Sequence, residues 1–317
     1  MQRISSNNVI YKFTNDLKEV QKVKQNKEFI VETNDCFYQQ IKNEDKVLDE
    51  INHDNLNPAT GPIYVEGAEK GDFLKVKIKK IDVSNSGCSL AIPKFGVLGD
   101  KVTTPATKII EVKDGYAYFS KDIKIPIKPM IGVIGVGTYK EDGEWETDTP
   151  YRHGGNMDTA EIIEGSTLYF PVAVEGAMLA LGDLHAVMGD GEVSGTGLEI
   201  PGEVTLEVEV LKRKSFDWPI LETENEVMVL SSEEDINEAN KEALESIMEL
   251  IQKSLDLSFE ESLILSSLAV DLRISQLVDP KVTIRAAISK EILPMEKVLN
   301  ILWWLKVVGM TLLPFCF

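Results

Sequence analysis

With 33 basic and 52 acidic residues in 317, the chain carries a net charge of −19. That sign excludes nucleic acid and anionic membranes as partners, because phosphate binding needs a basic face, and it disfavours anionic substrates, leaving a neutral or cationic small molecule. The length, with 43% hydrophobic and 27% charged residues, suffices for one large or two ordinary domains with a real core.

The three cysteines, Cys36, Cys88 and Cys316, are widely spaced and none stands in a CxxC pair. They make neither a disulfide framework nor a zinc knuckle, and a reducing cytoplasm fits them. The opening MQRISSNNVIYKF lacks the apolar core of a signal peptide, so a cytoplasmic location is expected.

The first 60 residues are polar and mixed, with a strand predicted near Phe29 that delivers Asp35 and Cys36 at its end. His53 is expected to be exposed. From Ile63 onward strands dominate. Leu74, Val76 and Ile78 alternate with Lys75, Lys77 and Lys79, the period of a half-buried strand. Ser84 to Thr107 reads as loop. Met130 to Gly137 is an apolar glycine run that neither matches GxGxxG nor precedes a helix, so it is no dinucleotide fingerprint.

A second β segment follows, with alternation over Leu168 to Val174 and again over Val204 to Val210. Val65-Glu-Gly-Ala68 and Val174-Glu-Gly-Ala177 echo one another, which points to a duplicated β unit. Helices come late. Ser231 with Glu234 forms a capping-box pattern ahead of a helix reaching about Lys253, and Ser258 with Glu261 starts a second helix whose apolar side carries Leu263, Leu265 and Leu268. Val282 onward reads as a strand. The expected fold is mainly β, sandwich- or barrel-like, with a smaller C-terminal α/β part. The expected division is 1–165, 166–289 and an apolar tail, 290–317. Within that tail Val298 to Phe317 is long enough to span a membrane, but Asn300, Lys306 and Pro314 interrupt it, so a segment docked on protein is expected instead.

The chemistry concentrates between Gly182 and Gly202, where Asp183, His185, Asp190, Glu192 and Glu199 are crowded among glycines. Asp183 and His185 are two apart, as are Asp190 and Glu192, and in extended chain such residues share a side. Asp, Glu and His together suit a borderline or hard divalent metal and also general acid–base work. A second cluster, His153-Gly-Gly-Asn156-Met-Asp158, repeats the pattern of glycine with His and Asp, so the two form one composite site. Cys36 beside Asp35 reads as a buried residue rather than a nucleophile, since a neighbouring carboxylate raises the thiol pKa.

With these residues assembled, the chain resembles the acetamidase/formamidase family. The resemblance is carried by NPATGPIYVEGAEKGD (Asn57 to Asp72), GGNMDT (Gly154 to Thr159), the run Pro171 to Glu199 containing GDLHAVMGDGE, and DLRISQLVDP (Asp271 to Pro280). It implies metal-dependent hydrolysis of short-chain aliphatic amides to carboxylate and ammonia by a homo-oligomer, expected to be a dimer. It maps the metal onto Asp35, Asp158, Asp183 and His185, with zinc expected and calcium the second choice. Glu192 is then the general base, Asn156 or a glycine N–H steadies the oxyanion, and Asp190 is counted with the catalytic groups. The rival expectation is a non-catalytic β-sandwich in which the same carboxylates hold a structural calcium. A closed, oxygen-only shell would favour that rival, whereas His185 as a ligand beside a pocket just large enough for a two-carbon group would favour the enzyme.

Overall fold

The computed structural model describes residues 1–45, 51–212 and 216–301. Its frame is a nine-stranded sheet whose centre pairs Phe73–Val83 with Gly202–Leu211 antiparallel, Val76 opposite Val208 and Leu74 opposite Val210. The alternation read from both stretches is the burial pattern found. Leu74, Val76, Ile78, Val204, Leu206 and Val208 are buried, while on the outer side Lys75 pairs with Glu209 at 2.9 Å.

Against this inner face packs a six-stranded sheet, and side chains of the two sheets meet in one core, Ile63, Ile131 and Leu181 among Leu74, Val76 and Leu206. The fold is therefore mainly β, as expected. A four-stranded sheet contains Ser86–Ala91 paired with Ala106–Lys113, where the sequence reads as loop. The pairing is supplied by a partner some twenty residues away, which local composition does not register.

The expected division at residue 165 does not correspond to a boundary between sheets. In the nine-stranded sheet Gly202–Leu211 lies between Glu28–Thr33 and Phe73–Val83, so strands from both sides of that point interleave. The two echoing segments meet directly: Val65 N–H donates to Gly176 O, and Gly176 N–H donates to Ala68 O, each at 2.9 Å.

The C-terminal α/β part is built on the last strands of the large sheet. Helix α1 (Ile236–Leu255) lays Ala239, Ala243, Ile247 and Leu250 on Val227, Val229, Ile284 and Ala286. Each valine, leucine and isoleucine among them contributes roughly 1.5–3 kcal/mol by leaving water. Its N-cap is Asp235, whose Oδ1 accepts from the N–H groups of Asn237 and Glu238; Ser231 lies in the preceding strand and donates its hydroxyl to Ala239 O. The Ser258–Glu261 capping box is present at the start of helix α2 (Phe259–Ala269). The apolar side of α2 departs from expectation. Leu265 packs inward, but Leu263 and Leu268 are exposed while Ser262 and Ser266 are buried.

Leu293, Met295 and Val298, in and before helix α3 (Met295–Ile301), are buried in the same core as α1. The expected tail from residue 290 is thus part of the fold up to Ile301, and residues 302–317 lie outside the described residues. Among the described residues no helix is long and apolar enough to cross a membrane.

Candidate active site

Asp183 and His185 stand on the strand Leu179–His185, all of whose residues are buried. It lies inside the six-stranded sheet between Met130–Gly135 and Ala59–Val65. Two ionisable groups in a strand otherwise made of Leu, Ala and Gly need partners, because an unpaired buried charge is strongly disfavoured.

The partners come from three other places in the chain. His185 Nε2 lies 3.1 Å from Glu199 Oε1, 3.4 Å from Asp183 Oδ1 and 3.8 Å from Glu192 Oε1, and His185 Nδ1 lies 3.8 Å from Asp158 Oδ1. Asp158 follows the short strand Gly154–Asn156, and Glu199 is bridged to His185 through the backbone. Asp158, Asp183 and Glu192 all have left-handed backbone, at φ of 40°, 54° and 46°. Such conformations cost about 1–3 kcal/mol each and persist where the surroundings fix them, characteristically at functional sites.

Two glycines let these groups come together. A Cβ on Gly132 would stand 2.5 Å from both Asp158 Oδ1 and Asp183 Oδ2, and one on Gly197 would stand 2.6 Å from His185 Nδ1. Bare backbone is the floor under the two carboxylates and the wall beside the imidazole. The glycine run at Met130 to Gly137, which matches no cofactor motif, thus belongs to this site.

Burial raises Glu192 and Glu199 from 4.5 to about 8, and the neighbouring carboxylates add to the effect. Asp158 is driven well up by burial and by Glu192. His185 moves the other way from what burial alone would do: Glu199 and Asp183 raise it well above 6.5. Asp183, despite burial, is lowered by His185. So much buried acid around one imidazole cannot all be ionised without further positive charge. Both oxygens of Asp158, Oδ1 of Asp183, Oε2 of Glu199, Oδ1 of Asn156 and both nitrogens of His185 are buried without a hydrogen-bond partner.

Such atoms are what a cation would engage. Asp158, His185 and Glu192 offer ligand atoms that all lie within 4.8 Å of one another, and Cys36, Asp183 and Glu199 form a second such group alongside. The donor set, imidazole nitrogen and carboxylate oxygen with a thiol in reach, fits a divalent metal.

The remaining expected residues fall as follows. Asn156 lines the adjoining cavity with Asp183, Glu192 and Glu199. Asp35 is buried nearby, raised to about 6 by burial, and its Oδ1 accepts the N–H groups of Phe37 and Gln39. Asp190 is paired with Arg285: its Oδ2 is 2.6 Å from Nη2 of that buried residue, and it lines a second cavity that Glu192 also lines. His153 stays neutral, lowered to about 3 by burial, and packs its ring on Phe13. His53 is exposed, as expected. Sequence reasoning assigned no role to Glu199 or Asp279. Asp279, raised well above 3.8 by burial and by Asp158, lines the same cavity. It lies in the DLRISQLVDP segment, which was the available signal.

A mainly β protein holding a buried cluster of carboxylates around one histidine, beside a cavity, is of the class that gathers titratable groups at a candidate active site. The comparisons with known proteins place it more closely. The model of the Acetamidase/Formamidase family matches residues 2–141 and 142–295, and the chain belongs to that family. An acetamidase structure from Bacillus halodurans superposes with a TM-score of 0.90 at 40% identity, covering 93% of this chain and 99% of that one. A structure described as a predicted acetamidase/formamidase from Thermoanaerobacter tengcongensis gives 0.90 at 44% identity, covering 94% and 98%. A formamidase of Methylophilus methylotrophus is 26% identical over 62% of each chain, so this chain spans under two thirds of that relative's length.

Proposed function

We propose that the protein hydrolyses amides to carboxylate and ammonia at a centre that works with a bound divalent cation. The observation that carries this reading is the set of buried, unpartnered oxygens and nitrogens on Asp158, Asp183, His185 and Glu199 beside a cavity. The relatives' names, acetamidase and formamidase, supply the reaction class.

In this reading Asp158, Asp183 and His185 hold the cation with help from Glu199, and zinc suits the nitrogen-containing set better than calcium. When bound, the cation lowers the pKa of a water and polarises the amide carbonyl. Glu192 faces the cavity, and its carboxylate, which a bound cation would favour in the ionised form, is placed to take a proton from water and return it to the departing nitrogen. Asn156 also faces the cavity, and its side-chain N–H can donate to the carbonyl oxygen as charge develops there. The acidic surface is compatible with a neutral amide. A homodimer and a cytoplasmic location belong to the same proposal.

The calcium-sandwich alternative is not favoured, since it called for an oxygen-only, closed shell, whereas His185 is central and the cluster borders open space. Ammonia release from formamide, acetamide and propionamide, measured with and without chelator, tests the reading; the absence of turnover after metal reconstitution would refute it.

A further inference from the structure

The cavity beside the carboxylates is far larger than acetamide requires. This open cleft has a volume of about 470 Å³, within the 300–1,000 Å³ range in which pockets bury much larger ligands. A pocket just large enough for a two-carbon group, the feature that would favour the enzyme over the calcium sandwich, is not what stands here. An amide of four heavy atoms, on the scale of water's share of about 30 Å³ per molecule, fills only a minor part of it.

The lining is divided by chemistry. Asn156, Asp183, Glu192, Glu199 and Asp279 supply polar groups, and three other segments supply apolar wall: Phe37 with Leu56, Ile92 with Phe95, and Val278 with Pro280. The second wall is held to the catalytic loop. Val97 N–H donates to Val193 O at 2.9 Å, and the Phe95 ring lies so close over Gly195 that a Cβ there would be 2.1 Å from it. Phe95 is nonetheless 41% exposed. An aromatic ring pinned against the loop that carries Glu192 and lining the cavity gains burial when an apolar ligand covers it.

We infer that the site is shaped for primary amides with a branched aliphatic or aromatic acyl group, with Phe95 and Ile92 as the residues that select it. The inference rests on the amidase reading above and names its substrate class. The amide group faces the carboxylates and Asn156, and the acyl group lies against Phe37, Leu56, Ile92 and Phe95. Each methylene so buried is worth about a fourfold gain in kcat/KM.

The test compares kcat/KM of the metal-loaded protein for acetamide, butyramide, isovaleramide and benzamide. A rise of at least about tenfold from acetamide to isovaleramide is expected, and a steady fall with acyl size overturns the inference. A second arm removes turnover from the question: calorimetric titration of Glu192→Gln with the same amides should show benzamide binding at least about tenfold more tightly than acetamide. Equal affinity there overturns the substrate class even if no amide is hydrolysed. Absent turnover with retained benzamide preference would instead count against the amidase reading alone. Phe95→Trp and Ile92→Trp, which narrow the cavity, should each lower the isovaleramide-to-acetamide ratio. An unchanged ratio in both removes these residues from the selection.

Discussion

Glu199 Oε1 lies 3.1 Å from His185 Nε2, and the same oxygen accepts the N–H of Gly197 at 2.8 Å. One carboxylate thus stands against the imidazole and is itself held by the glycine whose backbone packs on that ring. Its other oxygen has no partner. Glu199→Gln should therefore weaken metal binding by about 10–100-fold, the usual cost of losing a group that holds a ligand in place. Competition against a chromogenic chelator reads this directly, and unaltered affinity would remove Glu199 from the centre.

Asp183→Asn and His185→Ala are each expected to lose the metal, whereas Glu192→Gln should keep it and lose turnover. Ligands act before the reaction begins and a base acts during it. Elemental analysis separates the roles. Full metal in His185→Ala excludes it as a ligand, and loss of metal in Glu192→Gln makes Glu192 a ligand.

Burial raises Glu192 and Glu199 from 4.5 to about 8, so the cation-free fold retains two protons that the unfolded chain releases above 4.5. This contribution to stability is fully present below pH 4.5 and is lost as pH rises through about 8. A bound cation favours the ionised carboxylates, so it stabilises more at the alkaline end. The Tm of chelator-treated protein should fall from pH 5 to pH 8, and the gain in Tm on adding metal should grow over the same range. A metal-induced gain independent of pH would contradict it.

Asp190 is expected to support the fold. Its partner Arg285 is buried and also meets Glu161 at 3.0 Å. Asp190→Ala leaves that guanidinium one carboxylate short, and with Asp190 itself half exposed the loss should be about 1–2 kcal/mol. Denaturant unfolding measures it, and metal content should stay unchanged. A stable variant that has lost its metal would return Asp190 to the catalytic groups.

Gly132→Ala places a methyl carbon 2.5 Å from oxygens of both Asp158 and Asp183. Strain of about 1–3 kcal/mol, together with displaced carboxylates, should lower Tm and metal affinity at once. Normal metal affinity in this variant would mean the floor can yield.

The residues closest in sequence were the most legible. Asp183 and His185, two apart on one strand, and Asn156 with Asp158, two apart in GGNMD, stand out in the sequence as polar residues crowded among glycines, but Asp183 and Asp158 adopt left-handed backbone rather than the extended chain assumed for them. Glu199 was visible as one acid among several, but only backbone bridging across the turn brings it to His185. Gly132 acts by having no side chain, and nothing local marks such a position. Asp279 arrives through the fold from far along the chain. The helix signals show the same limit. Ser258 and Glu261 form their box as read, whereas Ser231 with Glu234 satisfies the pattern inside a strand because pairing with Val282–Ser289 claims that backbone.

The most direct test of the central claim is a metal titration of chelator-stripped protein, following ammonia release from acetamide and isovaleramide. The account predicts no turnover before zinc is added and a rise that saturates as the buried carboxylates and His185 fill. Full turnover by the stripped protein, or none from either amide at any metal loading, would contradict it.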